Sequence, residues 1–264
     1  MRLEADQWAM NIAVKMGHYH MDKAANCQDA AGGFVSGSRL YGVGCDGCGE
    51  GDRSEVGAVM LSEFALSEIA RLNQSPISYN FNEICSILFN SLTRFIYLQI
   101  HMSCQSSNPH DIAQYVKNHW LATMIGFIYD TVAQNGIIFY CGDGVYTLDD
   151  TLHVIDQNNT PVYLAYHCLQ NPETCGVGPE MMPGGFNIIP IESGVSKFMI
   201  ASDGFIQHNK LKIEQNGLPD NLHGQQWDKK GQFGLKKWLN SRWDKGYLFD
   251  DCFVITAERI SCKP

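Results

Sequence analysis

The chain has 264 residues, of which 45% are hydrophobic and 18% are charged. This balance supports a folded core and excludes an intrinsically disordered protein. Acidic residues outnumber basic ones by 28 to 19, which gives a formal net charge of −9. Because a surface of this sign repels phosphate backbones and anionic lipids, and no Lys/Arg run compensates for it, we expect neither a nucleic-acid partner nor a membrane partner.

The amino-terminal residues 1–6 lack the basic and apolar regions of a signal peptide. The best candidate for a membrane span, residues 84–100, is interrupted by Asn90, Thr93 and Arg94. We therefore expect a cytoplasmic protein whose ten cysteines are reduced thiols.

In chain order, the first informative element is a predicted strand over residues 39–45 that ends at the glycine-rich turn Asp46-Gly47-Cys48-Gly49. Ser54 is a good N-cap for the helix that follows. A second helix is predicted from apolar residues at spacings of three or four, namely Ile84, Ile87, Leu88, Leu92, Phe95 and Leu98. Such a stripe is far more typical of a core than of a recognition groove.

From about Trp120 the hydrophobic pattern changes to that of strands. Residues 121–129 and 137–141 flank Asn135-Gly136, a strong hairpin signal. Further strands are predicted over 145–148, 197–201 and 252–257, with a loop over 171–185. Helices and hairpins come in blocks, and no linker or repeat divides the chain. We therefore predict one α+β domain over residues 1–264, built as a layered sandwich and not on a parallel sheet.

Four aspartates lie at the boundaries of predicted strands: Asp46, Asp143, Asp203 and Asp250. Three of them neighbour glycine, which lets the backbone turn sharply and approach a ligand closely. Carboxylates that converge at one edge of a sheet repel each other unless a cation neutralises them. Oxygen-only ligands of this kind suit Mg²⁺ or Mn²⁺. Any one Asp-Gly string is more typical of a turn than of a ligand, so the pattern indicates a divalent-metal site and nothing more specific.

Short motifs follow one another through most of the chain, and each is weak alone. They are Cys27-Gln28-Asp29-Ala30, then Val43-Gly44-Cys45-Asp46-Gly47-Cys48-Gly49 with Ser54-Glu55-Val56-Gly57-Ala58 behind it, Ala122-Thr123-Met124, Cys141-Gly142-Asp143-Gly144, Ala201-Ser202-Asp203-Gly204 and Asp250-Asp251. Together and in this order they resemble the metal-dependent protein phosphatases of the 2C type. Gly17, His20 and Cys27-Gln28-Asp29, with Thr160-Pro161-Val162-Tyr163-Leu164 later, look closer to a mainly bacterial branch than to the animal enzymes.

The resemblance implies a four-layer α-β-β-α sandwich, in which two antiparallel sheets are flanked by helices and metal ions lie in a cleft at one end. It implies an enzyme that hydrolyses phosphoserine and phosphothreonine in proteins with a metal-activated water, as in signalling. Its cofactors would be two Mn²⁺ or Mg²⁺ ions, with a third at a weaker site. We expect a monomer whose partner is a phosphorylated protein substrate.

Carried over residue by residue, the resemblance assigns Asp46 and the carbonyl of Gly47 to the metal ions, with Asp46 bridging two of them. Asp203 and Asp250 would hold the second ion. Asp143, together with Asp203, would form the weaker third site. Asp46 is accordingly also a catalytic candidate.

Asp29 would bind metal or orient its water, which makes it a further metal and catalytic candidate. The sequence also departs from the family's pattern. Gln28 stands where many members have glutamate, and Cys48 stands where many have a histidine that could act as an acid. The arginine expected to bind phosphate is replaced by Ala24.

His20 and Lys23 are candidates to supply the missing charge or proton. An imidazole titrates in the useful range, so His20 is the third catalytic candidate. The alternative interpretation of His20 is a surface histidine in a loop, and Lys23 is more typical of a solvated charge.

Three other functions are alternatives to a protein phosphatase. The C-x-x-C pair Cys45 and Cys48 suggests zinc binding or redox exchange, but a structural zinc site needs further ligands. A catalytically silent domain of the same fold would bind phosphoproteins, although such a domain would be free to lose its aspartates. A hydrolase of small phosphorylated metabolites would carry the same reacting groups, and the sequence does not separate it from a protein phosphatase.

Overall fold

The computed structural model describes residues 2–5, 7–157, 160–169, 172–182, 184–207 and 233–260. In this part of the chain there are eleven strands: β1 (Arg2–Ala5), β2 (Trp8–Lys15), β3 (Asp29–Ser36), β4 (Arg39–Gly47), β5 (Ala122–Asp130), β6 (Asn135–Cys141), β7 (Gly144–Leu148), β8 (Thr151–Ile155), β9 (Asn187–Ile191), β10 (Lys197–Ala201) and β11 (Cys252–Arg259). The α-helices of the same residues are α1 (His18–Asp22), α2 (Ser54–Asn73), α3 (Phe81–Ser103), α4 (Pro109–His119), α5 (Gly204–Gln207) and α6 (Gly234–Asp244).

The strands form two sheets in which every neighbouring pair is antiparallel. A six-stranded sheet has the order β1-β2-β11-β10-β7-β8, and a five-stranded sheet has the order β3-β4-β5-β6-β9. Large apolar side chains from both sheets, including Trp8, Phe127, Phe198 and Phe253, form the core between them. Burial of this apolar surface holds the two sheets face to face.

Helices cover the outer face of each sheet. Helix α2 packs on β3 and β4 of the five-stranded sheet, and α3 lies against α2 and β6. Helix α6 packs on β2 of the six-stranded sheet and shares an apolar cluster with β10 and β11. The start of α3 is fixed by a capping box, in which the side chains of Asn80 and Glu83 each accept a backbone N–H of the other. The predicted α+β sandwich of four layers, α-β-β-α, is therefore confirmed.

Most predicted elements occur with shifted ends. The strand predicted over 39–45 extends to Gly47, and the helix predicted from Ile84 runs from Phe81 to Ser103. Its apolar stripe is largely core, but Leu98 is 46% exposed and its assignment to the core was wrong. Ser54 was also wrongly predicted as an N-cap, since it is the first helical residue and Arg53 occupies the cap position.

The predicted loop over 171–185 contains two short 3₁₀ turns, Pro172–Cys175 and Pro179–Met181, while residues 171 and 183 lie outside the described part. No helix in the described ranges is long and apolar enough to cross a bilayer. The cytoplasmic location and the monomeric state remain predictions.

Gly44 shows how closely the two sheets approach each other. A Cβ atom on Gly44 would lie 2.1 Å from the ring of Phe253 on the facing sheet. The backbone N–H of Phe253 in turn donates to Asp29 Oδ2 at 2.7 Å. The absence of a side chain at Gly44 therefore also fixes the position of one predicted site residue.

We expect Gly44→Ala to lower the free energy of unfolding by about 3 kcal/mol, because the new methyl group overpacks the core between the sheets. Chemical denaturation measures this change. The control is Gly185→Ala, where an added Cβ meets no atom within 4 Å and the expected change is about 0.5 kcal/mol or less. Equal effects at the two positions would contradict the close packing of the sheets.

Candidate active site

Two of the predicted ligands, Asp29 and Asp46, lie opposite each other at the ends of neighbouring strands. β3 and β4 pair in a register that aligns Asp29 with Asp46. Like charges in directly opposite positions destabilise an antiparallel pair. The two carboxylates therefore need a proton or a cation between them.

The other sheet brings two further carboxylates to the same place. Asp203 follows β10, and Asp250 precedes β11, the strand that pairs with β10. The pKa of Asp46 is raised well above its usual range, first by burial and then by the negative charges of Asp29, Asp203 and Asp250. Burial also raises the pKa of Asp250. These four aspartates form the acidic cluster, and the structure thus brings together four of the predicted site residues.

Asp29 is held in the acidic cluster through only one of its oxygens. Its Oδ2 accepts the hydroxyl of Ser202 at 2.6 Å and the backbone N–H of Phe253 at 2.7 Å. Its Oδ1 is buried and has no hydrogen-bond partner in the described part of the chain. Burial is also the largest cause of the raised pKa of Asp29, and the nearby Asp251 adds to it. The Asp29 carboxylate is also close enough to that of Asp46 to share a proton. An oxygen without a donor at this buried position needs a proton, a cation or a water molecule as its partner.

Asp251 connects three segments around the cluster. Its carboxylate, which is 2% exposed, accepts the backbone N–H of Gly17 at 2.8 Å and that of Gln28 at 2.5 Å. Its Oδ2 also lies 2.9 Å from Nδ1 of His20. Residue-type patterns did not single out Asp251 for this role, and its place directly after Asp250 was the available signal.

His20 is buried in α1, with 4% of its surface exposed, so the structure excludes the alternative of a surface histidine. It contacts Asp251 closely and Asp250 at 3.8 Å. The Lys23 ammonium group lies 3.9 Å from the centre of the Tyr19 ring and donates to its hydroxyl. Both candidates for a phosphate-binding cation are thus engaged with neighbouring side chains.

Asp143 occupies the turn between β6 and β7. Gly142 has φ 98° there, and a Cβ on it would lie 2.6 Å from Thr123, so the turn requires glycine. Burial, followed by the charges of Asp203 and Asp156, raises the pKa of Asp143 to about 6. Asp143 is therefore near Asp203, and its part in a third metal site remains a prediction.

A cleft of about 870 Å³ opens beside these residues. Asp143 and Asp250 line it, together with Cys48 and Gly49 from the turn after Asp46. Much of the remaining described lining is aromatic or apolar, including Tyr163, Tyr166, Leu169, Met181 and Phe249. Neither His20 nor Lys23 belongs to the described lining. The volume is that of a ligand-binding pocket and exceeds what one phosphate group needs.

Comparison with solved structures shows which proteins share this architecture. A bacterial serine phosphatase matches 97% of this chain over 99% of its own length, with 13% identity and a TM-score of 0.57. Stp1, a serine/threonine phosphatase from Staphylococcus aureus, matches 98% over 97% of its length, with 12% identity and a TM-score of 0.59. The catalytic domain of the serine/threonine phosphatase PstP was solved with two manganese ions. Its alignment covers 96% of this chain and 99% of that domain, with 12% identity and a TM-score of 0.55.

The chain has the protein phosphatase 2C fold. The family resemblance predicted from the motifs is thereby confirmed at the level of the fold. No family model and no curated protein sequence matches the chain.

Whether this 2C-fold site suits a metal ion depends on its donor atoms. Within the described ranges, no group of three or more histidine, cysteine, aspartate or glutamate side chains is placed to hold an ion. The donor chemistry nevertheless fits a hard divalent cation, because the acidic cluster consists of carboxylates. Two buried oxygens, Asp29 Oδ1 and Gln28 Oε1, lack partners among the described residues, and a cation or its water would satisfy them.

The C-x-x-C pair receives no support as a zinc or redox site. Both thiols are free. Cys45 is fully buried in the core under the helices, whereas Cys48 lines the cleft. Burial, followed by the charge of Asp29, raises the pKa of Cys45, which disfavours the thiolate that either chemistry requires.

The raised pKa of Asp46 predicts that the folding stability of the metal-free protein depends on pH. An aspartate titrates near pH 4 in the unfolded chain, so above that pH the folded state keeps a proton that the unfolded state has released. The contribution of Asp46 to folding stability therefore falls as the pH rises from about 4 toward the raised folded value. We expect Asp46→Asn, which removes this effect, to be increasingly more stable than the wild type as the pH rises.

Thermal unfolding in chelator at about pH 5 and about pH 8 measures this difference. The control is Asp150→Asn. Asp150 lies in the turn between β7 and β8, and its exposed carboxylate pairs with Lys197 of β10. A difference between Asp46→Asn and wild type that is independent of pH would contradict the close approach of the carboxylates.

Proposed function

We propose that this protein is a metal-dependent phosphatase that hydrolyses phosphoserine and phosphothreonine in proteins. The observation that supports it best is the acidic cluster, which draws two carboxylates from each sheet to one end of a 2C fold. A cleft large enough for a phosphorylated side chain and its neighbours lies beside it. PstP, which shares the fold, has been solved with two manganese ions.

Asp46, Asp203 and Asp250, with the carbonyl of Gly47, would hold two Mn²⁺ or Mg²⁺ ions, and Asp143 would add a weaker third site. Bound divalent cations lower the pKa of water and neutralise charge on a phosphoryl group. Their charge would also relieve the repulsion that raises the pKa of Asp46. Oxygen donors favour these two ions over zinc.

Asp29 would orient the attacking water. Its Oδ2 is fixed by Ser202 and Phe253, so the free Oδ1 can accept a hydrogen bond from a water molecule without losing its own position. A carboxylate that aligns water in this way needs no side-chain nucleophile, and no phosphorylated enzyme intermediate is expected. The same attachment keeps Asp29 from moving away from Asp46.

His20 would act through other residues and not on the phosphate. It contacts Asp251, and Asp251 holds the backbone N–H groups of Gly17 and Gln28. Gln28 directly precedes Asp29, and Asp250 directly precedes Asp251. We therefore assign His20 as a positioning residue for the acidic cluster.

A silent phosphoprotein-binding module is the second candidate. It is favoured by the finding that the described carboxylates do not form a ready group of three metal ligands. The first candidate is preferred because the charges of Asp29, Asp203 and Asp250 add to the rise in the pKa of Asp46, and a module without metal would gain stability by losing such carboxylates.

The test is release of phosphate from a phosphothreonine peptide with Mn²⁺ or Mg²⁺ and with chelator. We expect release that needs metal and that Asp46→Asn and Asp203→Asn reduce by about a hundredfold or more, since each removes a charged ligand. Asp150→Asn is the matched control and should retain activity. Metal should also raise the melting temperature of the wild type but not that of Asp46→Asn.

Peptide binding without phosphate release, from a protein that metal does stabilise, would favour the silent module. Faster release from nucleotides and sugar phosphates than from phosphopeptides would favour a hydrolase of small metabolites.

A further inference from the structure

Apart from the metal ions proposed above, the side chains that line the cleft beside the acidic cluster carry more negative than positive charge. Glu50, Asp143 and Asp250 contribute three carboxylates to its described lining. The described lining contains one permanently cationic side chain, that of Lys117, besides the imidazole of His110. A phosphate monoester carries up to two negative charges, so its position in this cleft depends strongly on where the positive charge lies.

Lys117 belongs to a helix face that forms one wall of the cleft. Helix α4 begins with Asn108 as its N-cap and Pro109 as its first residue. Four α4 side chains at spacings of three or four line the cleft, namely His110, Ala113, Gln114 and Lys117. The buried Val116 also contributes to the lining. Residues at these spacings share one face of a helix. Ile112 and Val116 are the buried residues of α4, whereas His110, Gln114 and Lys117 are exposed and so are accessible to a ligand in the cleft.

The end of α4 that carries Lys117 is fixed to the turn that follows Asp46. The N–H of Arg53 donates to the carbonyl of Asn118 at 2.9 Å, and that of Cys48 donates to the carbonyl of Leu121 at 2.8 Å. A Cβ on Gly51 would lie 2.8 Å from the carbonyl oxygen of Lys117. These contacts hold the backbone of Lys117 in a defined place relative to the strand end that bears Asp46.

The Lys117 ammonium group is held by a partner that an anion can replace. Its Nζ lies 3.1 Å from Oε2 of Glu50, and the two side chains are 47% and 79% exposed. An exposed pair of this kind contributes little to stability. A phosphoryl group offers more negative charge and more acceptor oxygens than the carboxylate, and lysine binds phosphate well as a point charge.

We propose that Lys117 is the substrate-binding cation of this cleft, and that it leaves Glu50 to contact the phosphoryl group of the bound ester. Glu50 would then act as a competitor that holds the lysine side chain when no substrate is bound. This inference rests on the proposed phosphatase function, which it extends by naming the residue that sets affinity for the anionic group.

The test compares Lys117→Ala, Lys117→Arg and Glu50→Gln by steady-state kinetics on a phosphothreonine peptide, with inorganic phosphate as competitive inhibitor. We expect Lys117→Ala to raise both the KM and the inhibition constant of phosphate about tenfold, with little change in kcat. Lys117→Arg should restore most of the affinity, and Glu50→Gln should lower both constants. Lys237→Ala, which removes an exposed lysine of α6 on the outer face of the other sheet, should leave them unchanged.

An unchanged KM and an unchanged inhibition constant in Lys117→Ala, with hydrolysis intact, would overturn this inference and leave the phosphatase proposal standing. If the protein hydrolyses no ester, isothermal titration calorimetry of inorganic phosphate with the manganese-loaded protein still tests the role of Lys117. Binding that Lys117→Ala weakens, in a protein that hydrolyses no ester, would support Lys117 as the anion site and overturn the phosphatase. Melting temperatures of all variants establish that they fold.

Discussion

The repulsion between aspartates at one end of the two sheets is the constraint on which the site depends. The pairing of β3 with β4 makes Asp29 and Asp46 direct neighbours, and the stacking of the sheets adds Asp203 and Asp250. Such an arrangement is unfavourable unless the surrounding structure holds it or a cation neutralises it. The fold does hold it, because Ser202 and the backbone of Phe253 bind Asp29, and Asp251 binds the segments on either side.

This constraint explains why glycine and backbone N–H groups matter at the site. Gly44 lets the ring of Phe253 approach β4, and that approach places the Phe253 N–H against Asp29. Sheet packing and carboxylate position are thus coupled through one residue. A change in the core between the sheets would alter the site even though the substituted side chain lies away from the cleft.

The sequence was informative wherever a strand with a regular apolar pattern ended at an aspartate. β4, β6 and β10 run up to such an aspartate, and β11 begins directly after Asp250 and Asp251. These strands, and the members of the acidic cluster beside three of them, could therefore be predicted. β3 was not predicted as a strand, because its Gly32-Gly33 pair and partly buried side chains give no alternation. Asp29 and Asp46 lie opposite each other because of the register between β3 and β4, and this register could not be predicted from a single sequence.

Helix α4 was not predicted from the sequence, for a different reason. Its pattern is weakly apolar because only Ile112 and Val116 are buried, so the periodicity that revealed α3 is absent. Its function depends on side chains that a core-based interpretation ignores, namely those that point away from the core and into the cleft. Under the proposed function, a site rich in carboxylates that binds cations also needs positive charge of its own to admit a phosphate ester. A lysine on a separate helix, loosely paired with a glutamate at the rim, provides positive charge without neutralising the carboxylates that the metal ions would require.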